Sequence, residues 1–361
     1  MPADHNDFDA WLRLTLVSGV GPGALRDLLR AFGAPERVLA ANRAELGRFV
    51  APEVAGRIAA GGDAEGAQRA LAWLADDANH LVTLGDADYP QLLLQTADPP
   101  ALLYVKGRRE LLRRPALAVV GSRNATAQGV ANAEDFARAL SDAGITIVSG
   151  LALGIDTAAH RGGLAGAASS IAVVGTGLDV VYPARNRDLA HDLAERGALV
   201  SEFALGTPAL GGNFPRRNRV ISGMSRGCLV IEAALQSGSL ITARFANEQG
   251  RDVFALPGSI HSPLAKGCHA LIKQGAKLVD SANDILEELN FTTPAVRAGD
   301  TPQLEAETAQ LLELLGYEPS GLDAICLSAG LGSDAALALL LKLELHGLIE
   351  RLPGGQFQRV R

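Results

Sequence analysis

The stretch ALAVVGSRNATAQGVANAEDFARAL, residues 116–140, contains a strand, a turn and a helix in that order. Its first five residues are all apolar and end in two valines, which is typical of a strand buried on both faces. Gly121 permits a tight turn directly after them, and a helical pattern of small and apolar residues follows Thr126. The stretch therefore predicts one strand–helix unit of a parallel sheet.

The same pattern recurs across residues 79–290. The predicted strands are Leu117–Val120, Ile145–Ser149, Ile171–Val174, Leu199–Phe203, Cys228–Ile231 and Val253–Leu256. Short apolar strands that alternate with helices predict an α/β fold with a Rossmann-like, doubly wound and mostly parallel sheet. Because ligands bind beyond the carboxyl ends of the strands in such sheets, the residues that follow each strand are the candidate site residues.

The segments on either side of the sheet have a different pattern. Residues 1–78 predict a helical domain, residues 291–303 a linker, and residues 304–361 three helices and a β-hairpin, as in a winged helix. Within the first segment, the glycine-rich turn at 19–23 resembles that of a helix-hairpin-helix or SAM-like domain. Its backbone N–H groups can face a phosphate, but we favour the interpretation as a packing turn.

The last predicted helix of the C-terminal segment is poor in groups that bind DNA. It carries Asp334, Lys342 and Glu344 among leucines and alanines. A helix that enters a DNA groove displays arginine, lysine, asparagine or glutamine to the bases. We therefore expect this domain to contact protein, with DNA binding as the alternative.

The composition argues against several classes of protein. The chain has 361 residues, a net charge of −7 and three cysteines without a C-x-x-C pair. We expect a cytoplasmic protein with no disulfide framework, no metal site and no membrane partner, because the N-terminus also lacks signal-peptide features. Within this acidic chain, basic residues cluster at 105–123 and 213–227, which indicates a local anion-binding site.

Two of the post-strand segments combine glycine with groups that hold anions. Gly121, Ser122 and Arg123 offer close backbone approach, a hydroxyl and a planar guanidinium, and the helix start after them presents N–H groups. Ser149 and Gly150 end the next strand in a similar way. We expect phosphate contact at both places.

Asp156 and His160 lie four residues apart and share one face of the helix that follows. A catalytic pair is one interpretation, but no nucleophile or metal ligand has a matching spacing. We favour a capping aspartate and a structural histidine, and expect no catalytic residue.

The segment that begins Gly175-Thr176-Gly177 starts like a dinucleotide-binding turn, yet Val180 occupies the third glycine position. Arg185 follows where an immediate helix would be expected, and the chain has no P-loop motif. We therefore expect no cofactor, neither NAD nor ATP, and predict that Arg185 contacts DNA.

The most distinctive segment is NFPRRNRVISG, residues 213–223. Its predicted DNA contacts are Phe214, Arg216, Arg217, Asn218 and Arg219. Arginines can neutralise phosphates, and a phenyl ring can stack on an unpaired base. A solvated surface run is the alternative, but the apolar residues at 220 and 221 fix the run to the fold. Later helix starts add further candidate contacts, Ser237, Gly238, Ser239 and Lys266.

Six motifs occur in order: GSRNAT, SGLALGIDTAAHRGGL, GTGLDVVYPARN, SEFALGTPALGGNFPRRNRVISGMS, SGSLITARFANEQGR and VFALPGSIHSPLAKGCHALIKQGA. Together they resemble the core of the DprA/Smf family of DNA-processing proteins over residues 80–290. The resemblance implies a non-enzymatic protein that binds single-stranded DNA, displaces or tolerates single-strand-binding protein and helps to load RecA recombinase in transformation or recombination. By motif it implies that Ser122, Arg123 and residues 216–219 line the DNA pocket.

The resemblance also implies a homodimer. Its contact would fall at HALIKQGAKL, residues 269–278, as an apolar helix that packs against its symmetry mate. The residues expected there are His269, Leu271, Ile272 and Leu278.

An enzyme is the alternative class of function. Nucleoside monophosphate phosphoribohydrolases resemble the family in fold and carry a Pro-Gly-Gly-x-Gly-Thr-x-x-Glu motif. The comparable place here is QSGSLIT, residues 236–242, without a glutamate at that spacing. The sequence therefore favours DNA binding over nucleotide hydrolysis. A scaffold whose arginines form only salt bridges is the third alternative.

Overall fold

The computed structural model describes residues 5–291 and 305–360. In this part of the chain a group of helices comes first, a nine-stranded sheet with helices on both faces follows, and a smaller unit of helices and short strands comes last. The predicted linker, residues 291–303, lies outside the described residues apart from Phe291.

The N-terminal helices surround a small core of their own. They are α1 (His5–Thr15), α2 (Pro22–Phe32), α3 (Pro35–Ala40), α4 (Arg43–Leu46), α5 (Pro52–Ala59) and α6 (Ala64–Trp73). The turn between α1 and α2 packs Val20 against a core that contains Leu14 and Ile58. Arg57 of α5 donates a hydrogen bond from Nη2 to the Ser18 carbonyl at 2.8 Å. The glycine-rich turn is therefore packed against its own helices.

The central sheet is doubly wound and mostly parallel, as predicted. Its strands are β1 (Asn79–Thr83), β2 (Leu102–Gly107), β3 (Ala116–Val120), β4 (Thr146–Ser149), β5 (Ser170–Val173), β6 (Ala198–Ser201), β7 (Gly227–Val230), β8 (Asp252–Ala255) and β9 (Lys277–Leu278). The spatial order is β1-β2-β6-β5-β4-β3-β7-β8-β9. The seven neighbouring strands β6-β5-β4-β3-β7-β8-β9 are parallel to one another. Strand β2, in contrast, pairs antiparallel with both β1 and β6. The strand order reverses between β3 and β7.

Helices cover both faces of this sheet. They are α7 (Gln91–Leu94), α8 (Ala127–Asp142), α9 (Ile155–Ala165), α10 (Arg187–Arg196), α11 (Asn213–Gly223), α12 (Ser239–Glu248), α13 (Lys266–Lys273) and α14 (Ala282–Glu288). Val120 shares a core with Val220 of α11 on one face, and Val119 shares a core with Ala137 of α8 on the other. Burial on both faces explains why β3, with the sequence ALAVV, is apolar throughout.

The prediction of one helix over residues 269–278 is wrong. α13 ends at Lys273, Gly275 has a φ of +103°, and Lys277-Leu278 pairs with β8 as strand β9. A left-handed residue ends an α-helix, and glycine adopts that conformation without steric cost.

The C-terminal unit has the predicted three helices and hairpin of a winged helix. Its elements are α15 (Ala306–Leu314), β10 (Ser320–Gly321), α16 (Leu322–Ala329), α17 (Ser333–Leu345), β11 (Ile349–Leu352) and β12 (Gln356–Arg359). Leu311, Ile325, Leu340 and Phe357 form its core. No single helix of the described residues has the length and apolar composition to span a membrane, although α16 and α17 meet that test as a pair bent by 102°.

Candidate nucleic-acid interface

A cavity of about 760 Å³ lies beyond the carboxyl ends of β3 and β7. We call it the strand-end cavity. The predicted site residues in its lining are Gly121, Ser122, Arg123, Phe214, Arg217, Asn218, Ser237, Gly238 and Ser239. The place where strand order reverses is the usual ligand site of a doubly wound sheet, so these segments meet where a ligand is expected.

Backbone hydrogen bonds fix the turn after β3. Ser122 N donates to the Glu232 carbonyl at 2.7 Å, and Ile155 N donates to the Ser122 carbonyl at 3.1 Å. The Ser122 side chain is buried, and its Oγ accepts from Asn124 N at 3.2 Å. Arg123 is exposed, in contrast, and forms no ion pair within the part of the chain that the structure describes. A rigid turn therefore presents a free guanidinium.

The start of α8 already holds a carboxylate. Glu232, which follows β7, accepts hydrogen bonds from Thr126 N at 3.0 Å and from Thr126 Oγ1 at 2.6 Å. Thr126 Oγ1 in turn accepts from Gly129 N at 2.9 Å. The positive end of the helix dipole stabilises a negative side chain at this position. The expectation that this helix start binds a phosphate is therefore wrong, because Glu232 fills the place of the anion.

Arg217 lies inside the fold and is only 4% exposed. Its Nη1 donates to the carbonyls of Gly150 and Val173, and its Nε donates to Asn218 Oδ1 at 3.1 Å. A Cβ atom on Gly150 would lie 2.6 Å from Nη1, so only glycine leaves room for the guanidinium. Burial lowers the pKa of Arg217 to about 10, and Asp156 opposes that effect. Arg217 is thus a buried cation that joins the ends of β4 and β5.

Asp156, which also lines the cavity, is buried and hydrogen-bonded to the backbone. Its Oδ2 accepts from Gly150 N at 3.1 Å and from Ala152 N at 3.3 Å. Burial raises the pKa of Asp156, whereas Arg217 and these two N–H groups favour the carboxylate. The side chain therefore holds the loop after β4 from within the first turn of α9. The expectation of a capping aspartate is wrong in this respect, because the N-cap of α9 is Gly154 and has no side-chain cap.

His160 is fully buried on the same helix. Its Nε2 accepts from Leu151 N at 3.3 Å, and its Nδ1 lies 2.7 Å from Ser170 Oγ. A ring that accepts at Nε2 carries its proton on Nδ1 and is neutral, since a charged ring would turn an N–H toward another N–H. Burial, helped by the nearby Arg217, lowers the pKa of His160 to about 3. The histidine is structural, as we expected.

Two aromatic rings lie beside the cavity: Phe214 lines it, and Tyr182 lines a smaller adjoining cavity of about 70 Å³ that Phe214 shares. The half-buried Phe214 ring lies 5.8 Å from the Arg123 guanidinium carbon and 5.9 Å from that of Arg217. Tyr182 is 47% exposed, and its ring centroid lies 5.7 Å from that of Phe214 at an interplanar angle of 39°. Tyr182 is not among the residues predicted from the sequence, although it lies in the loop after β5, where ligands are expected in such a sheet.

Arg216 and Arg219 pair with a carboxylate outside the cavity. Their Nη2 atoms lie 3.2 Å and 2.5 Å from Oε2 of the buried Glu202, and Arg219 also lies 3.7 Å from Asp98. Burial raises the pKa of Glu202, and the two arginines oppose that effect.

The expectation that the whole run at 214–219 lines one pocket is therefore corrected. Residues three or four apart share a face of a helix, so 214, 217 and 218 face the cavity while 216 and 219 face Glu202.

Four other predicted contacts also lie outside the cavity lining. Gly150 lines the smaller adjoining cavity instead. The Ser149 hydroxyl is buried and donates to the Val119 carbonyl at 2.7 Å, so it is not free to hold a ligand. Arg185 is exposed on a short 3₁₀ turn after β5. Lys266 is exposed at the start of α13, where its Nζ donates to the Ile260 carbonyl.

Two helix starts with glycine caps lie at the cavity. α12 has Gly238 at its N-cap and α11 has Gly212, and neither start has a side-chain cap. The Ser237 and Ser239 hydroxyls lie 2.7 Å apart beside the first of these.

Most backbone N–H groups at these two starts already have acceptors within the fold. Asn213 N donates to the Leu210 carbonyl, and Leu240 N and Ile241 N donate to the Ser237 and Gly238 carbonyls. The third residue of α11 is a proline without an N–H group, so the two starts offer few free donors to a phosphate.

The residues predicted at a dimer contact lie on α13 and β9. Leu278, on the edge strand β9, is 48% exposed. Leu271 and Ile272 are half-buried and pack against the sheet core, and the His269 ring lies 3.0 Å from the Gly258 carbonyl through Nε2. Of this set, Leu278 offers the most exposed apolar side chain.

Comparisons of the sequence identify two family models. The model described as DNA recombination-mediator protein A matches residues 80–290, and the model of the DprA winged helix domain matches residues 281–355. Protein Smf of Escherichia coli (strain K12) is 45% identical over 297 residues, which cover 80% of this chain and 79% of that protein. DNA processing protein DprA of Streptococcus pneumoniae is 48% identical over 206 residues, 57% of this chain and 73% of that protein.

Two solved structures are also similar. The X-ray structure of DNA processing protein A from Streptococcus pneumoniae has a TM-score of 0.70 at 37% identity and covers 79% of this chain and 99% of that chain. The second is a structure of DNA processing protein A from Helicobacter pylori, which gives insight into the unique single-stranded DNA binding mode of that protein. It has a TM-score of 0.53 at 29% identity. That match covers 58% of this chain and 96% of the other.

Proposed function

The chain belongs to the DprA/Smf family of DNA recombination mediators, and on that premise we propose that its strand-end cavity binds single-stranded DNA. The observation that carries the proposal is a free cation beside accessible aromatic rings. Arg123, without an ion-pair partner among the described residues, lies against Phe214, which in turn contacts Tyr182. A single strand offers the matching groups, a phosphate and an unpaired base.

In this proposal a phosphate lies against Arg123, while bases stack on Phe214 and Tyr182. None of these contacts depends on the identity of the base, so we expect weak sequence preference. A duplex binds less tightly, because its bases are already paired and stacked. The single-stranded DNA binding described for the Helicobacter pylori protein supports this assignment by similarity.

We also propose that the protein delivers the bound strand to a RecA recombinase, acts on DNA that single-strand-binding protein covers, and works as a homodimer in the cytoplasm. The description of the family as a recombination mediator supports the first part, since a mediator brings DNA to a recombinase. A homodimer would hold two parts of one strand, so its affinity for long strands would exceed that of one cavity.

The proposed role is binding and not catalysis. Cleavage of an N-glycosidic bond by the alternative enzyme class calls for a carboxylate that is free to act on the sugar. Asp156 is held by two backbone N–H groups, and Glu232 is held by Thr126. Release of free base from nucleoside monophosphates, followed by chromatography, would favour the enzyme instead.

Fluorescence anisotropy of a labelled single strand at several salt concentrations tests the proposal. We expect Arg123→Ala to weaken binding about tenfold and to reduce the salt slope by about 0.7, the value for one phosphate contact on a single strand. Arg138→Ala is the matched control, because Arg138 is equally an exposed arginine but lies near the far end of α8, beside Asp142.

Arg217 is not a suitable test residue, because its removal would leave buried carbonyls and Asp156 without a cation. Equal affinities of the wild type and Arg123→Ala at every salt concentration would overturn the cavity assignment. The glycine-rich turn at 19–23 and the C-terminal unit would then be the remaining candidates for the DNA site.

A further inference from the structure

The C-terminal unit contains a helix-turn-helix whose second helix does not resemble a DNA-reading helix. α16 and α17 meet at 102°, which is the geometry of that motif, and α17 has the position of its recognition helix. The exposed side of α17 carries Leu337, Leu341 and Leu345, which are 41%, 56% and 79% exposed. Their spacing of four residues places them in one row, which we call the leucine stripe.

The surface around the leucine stripe is acidic. Residues 305–360 contain eight Asp and Glu but only three Lys and Arg. Each of these three cations already has a partner within the unit. Lys342 lies 2.7 Å from Glu305, Arg351 lies over the Phe357 ring, and Arg359 donates to the Leu312 carbonyl. Carboxylates therefore outnumber cations in this unit, and two of them, Asp334 and Glu344, are exposed on α17 itself.

This charge pattern selects among the possible occupants of the leucine stripe. A nucleic acid or an anionic membrane surface would be repelled by the carboxylates. A second copy packed antiparallel on the same stripe would bring Asp334 of one helix toward Glu344 of the other, which is also repulsive. A protein segment with positive charges beside an apolar row has no such conflict.

We propose that the leucine stripe binds an amphipathic helix of another protein, with apolar residues along one face and lysine or arginine beside them. The stripe is about 12 Å long, the rise of eight helical residues, and so matches about two turns of a partner helix. Apolar side chains in a row at helical spacing supply the contact, and the acidic residues on α17 select a basic partner. This surface is separate from the strand-end cavity and does not depend on DNA binding.

The experiment uses the full chain and a labelled peptide of about 14 leucines and lysines, arranged as an amphipathic helix that covers the stripe with a turn to spare on each side. Two control peptides have the same leucines with glutamate for lysine, or the same composition in scrambled order. We expect anisotropy to give at least about tenfold tighter binding of the ordered lysine peptide than of either control.

Two variants locate the binding surface. Leu341→Ser should weaken binding of the lysine peptide about tenfold, whereas Leu94→Ser, a leucine 39% exposed on α7, should leave it unchanged. The double variant D334K/E344K should instead prefer the glutamate peptide, since it reverses the charge beside an unchanged stripe.

Equal binding of the scrambled and ordered peptides, or no effect of Leu341→Ser, would overturn the proposal. So would a change in the sedimentation coefficient of the DNA-free chain in Leu341→Ser, because the stripe would then be a contact between copies. A loss of single-stranded DNA affinity in that variant would equally overturn it in favour of a DNA-binding surface.

Discussion

Tyr182 allows the base contacts of the cavity to be separated from its phosphate contacts, because its side chain is neutral and 47% exposed beside Phe214. We expect Tyr182→Ala to weaken binding of a short single strand by about tenfold, since stacking on an aromatic ring contributes about 1–3 kcal/mol per base. The salt slope should remain that of the wild type, because no phosphate contact is lost. Anisotropy titrations at several salt concentrations measure both quantities.

Strands with abasic sites provide the control for this prediction. The wild type should bind an abasic strand less tightly than an intact one, while Tyr182→Ala should show a smaller difference between the two strands. Tyr182→Phe keeps the ring and should bind like the wild type. An equal loss of affinity on intact and abasic strands would mean that Tyr182 only supports the fold beside the cavity.

His160 makes the stability of the fold depend on pH. Its pKa is about 3 in the folded protein and about 6.5 in the unfolded chain, so the unfolded chain takes up a proton first as the pH falls. Stability therefore falls with pH from about 6.5 to about 3, and between pH 7.5 and 5 this histidine accounts for a loss of about 2 kcal/mol. Urea unfolding at several pH values measures the free energy of unfolding.

A pair of variants isolates this contribution. His160→Gln should make the free energy of unfolding depend less on pH between pH 7.5 and 5. The stability of this variant at pH 7.5 will also be lower than that of the wild type. His191→Gln, an exposed histidine on α10, should retain the slope of the wild type. A slope that is equal in the wild type and His160→Gln would show that another group is responsible.

The site residues that the sequence predicts best are those whose position follows from chain connectivity alone. Arg123 comes directly after a buried strand, so its place at the cavity does not depend on the phase of a helix. Arg216 and Arg219 lie within a helix whose phase is set by the packing of Val220 and by the buried Glu202. Composition alone does not indicate which arginine of the run is paired inside the protein.

Among the elements, the start of α8 illustrates how a phosphate-binding geometry can serve stability instead. Glu232 accepts two hydrogen bonds from Thr126 at the positive end of this helix. We expect Glu232→Gln to lower the free energy of unfolding by about 1 kcal/mol, from the loss of charge at the helix dipole and of a charge-assisted hydrogen bond. Urea unfolding at neutral pH measures this difference.

The same variant also tests whether the start of α8 binds a phosphate of the DNA, which we expect it not to do. Glu232→Gln should not weaken the binding of single-stranded DNA, because the carboxylate contributes no contact to the strand. Glu248→Gln, at the C-terminus of α12, is the control for general loss of negative charge. Weaker DNA binding in Glu232→Gln alone would indicate that Glu232 orders the DNA-binding turn after β3.

The six parallel strands from β3 to β8 could be predicted within one or two residues, because burial on both faces makes each a continuous apolar run. β1 and β2 lie at the edge of the sheet opposite β9 and pair antiparallel. Their sequences contain polar residues such as Asn79 and Lys106, so neither strand is a continuous apolar segment. β9 has only two residues, which is too short for any periodicity. Its place in the sheet results from pairing with β8, a contact distant in sequence.

At the scale of the whole molecule, the edge strand β9 leaves Leu278 exposed on the side of the sheet beyond the strand-end cavity. If two copies meet at this edge, one strand of DNA can occupy two cavities, and the second contact is intramolecular. Dimer formation and the affinity for long DNA are then linked, whereas the affinity of one cavity for a short strand is independent of the dimer.

Leu278→Asp should therefore convert the protein to monomers in sedimentation velocity, since it places a carboxylate in an apolar contact between copies. Its affinity for a strand of about 30 nucleotides should fall more than about tenfold, while that for a strand of about six nucleotides should change less than about twofold. Leu94→Asp, on α7, is the control for a new charge at an exposed leucine. Should Leu278→Asp remain a dimer, the contact lies elsewhere on the chain. If it becomes a monomer and keeps full affinity for the long strand, a single cavity with its neighbouring surface accounts for the binding of DNA.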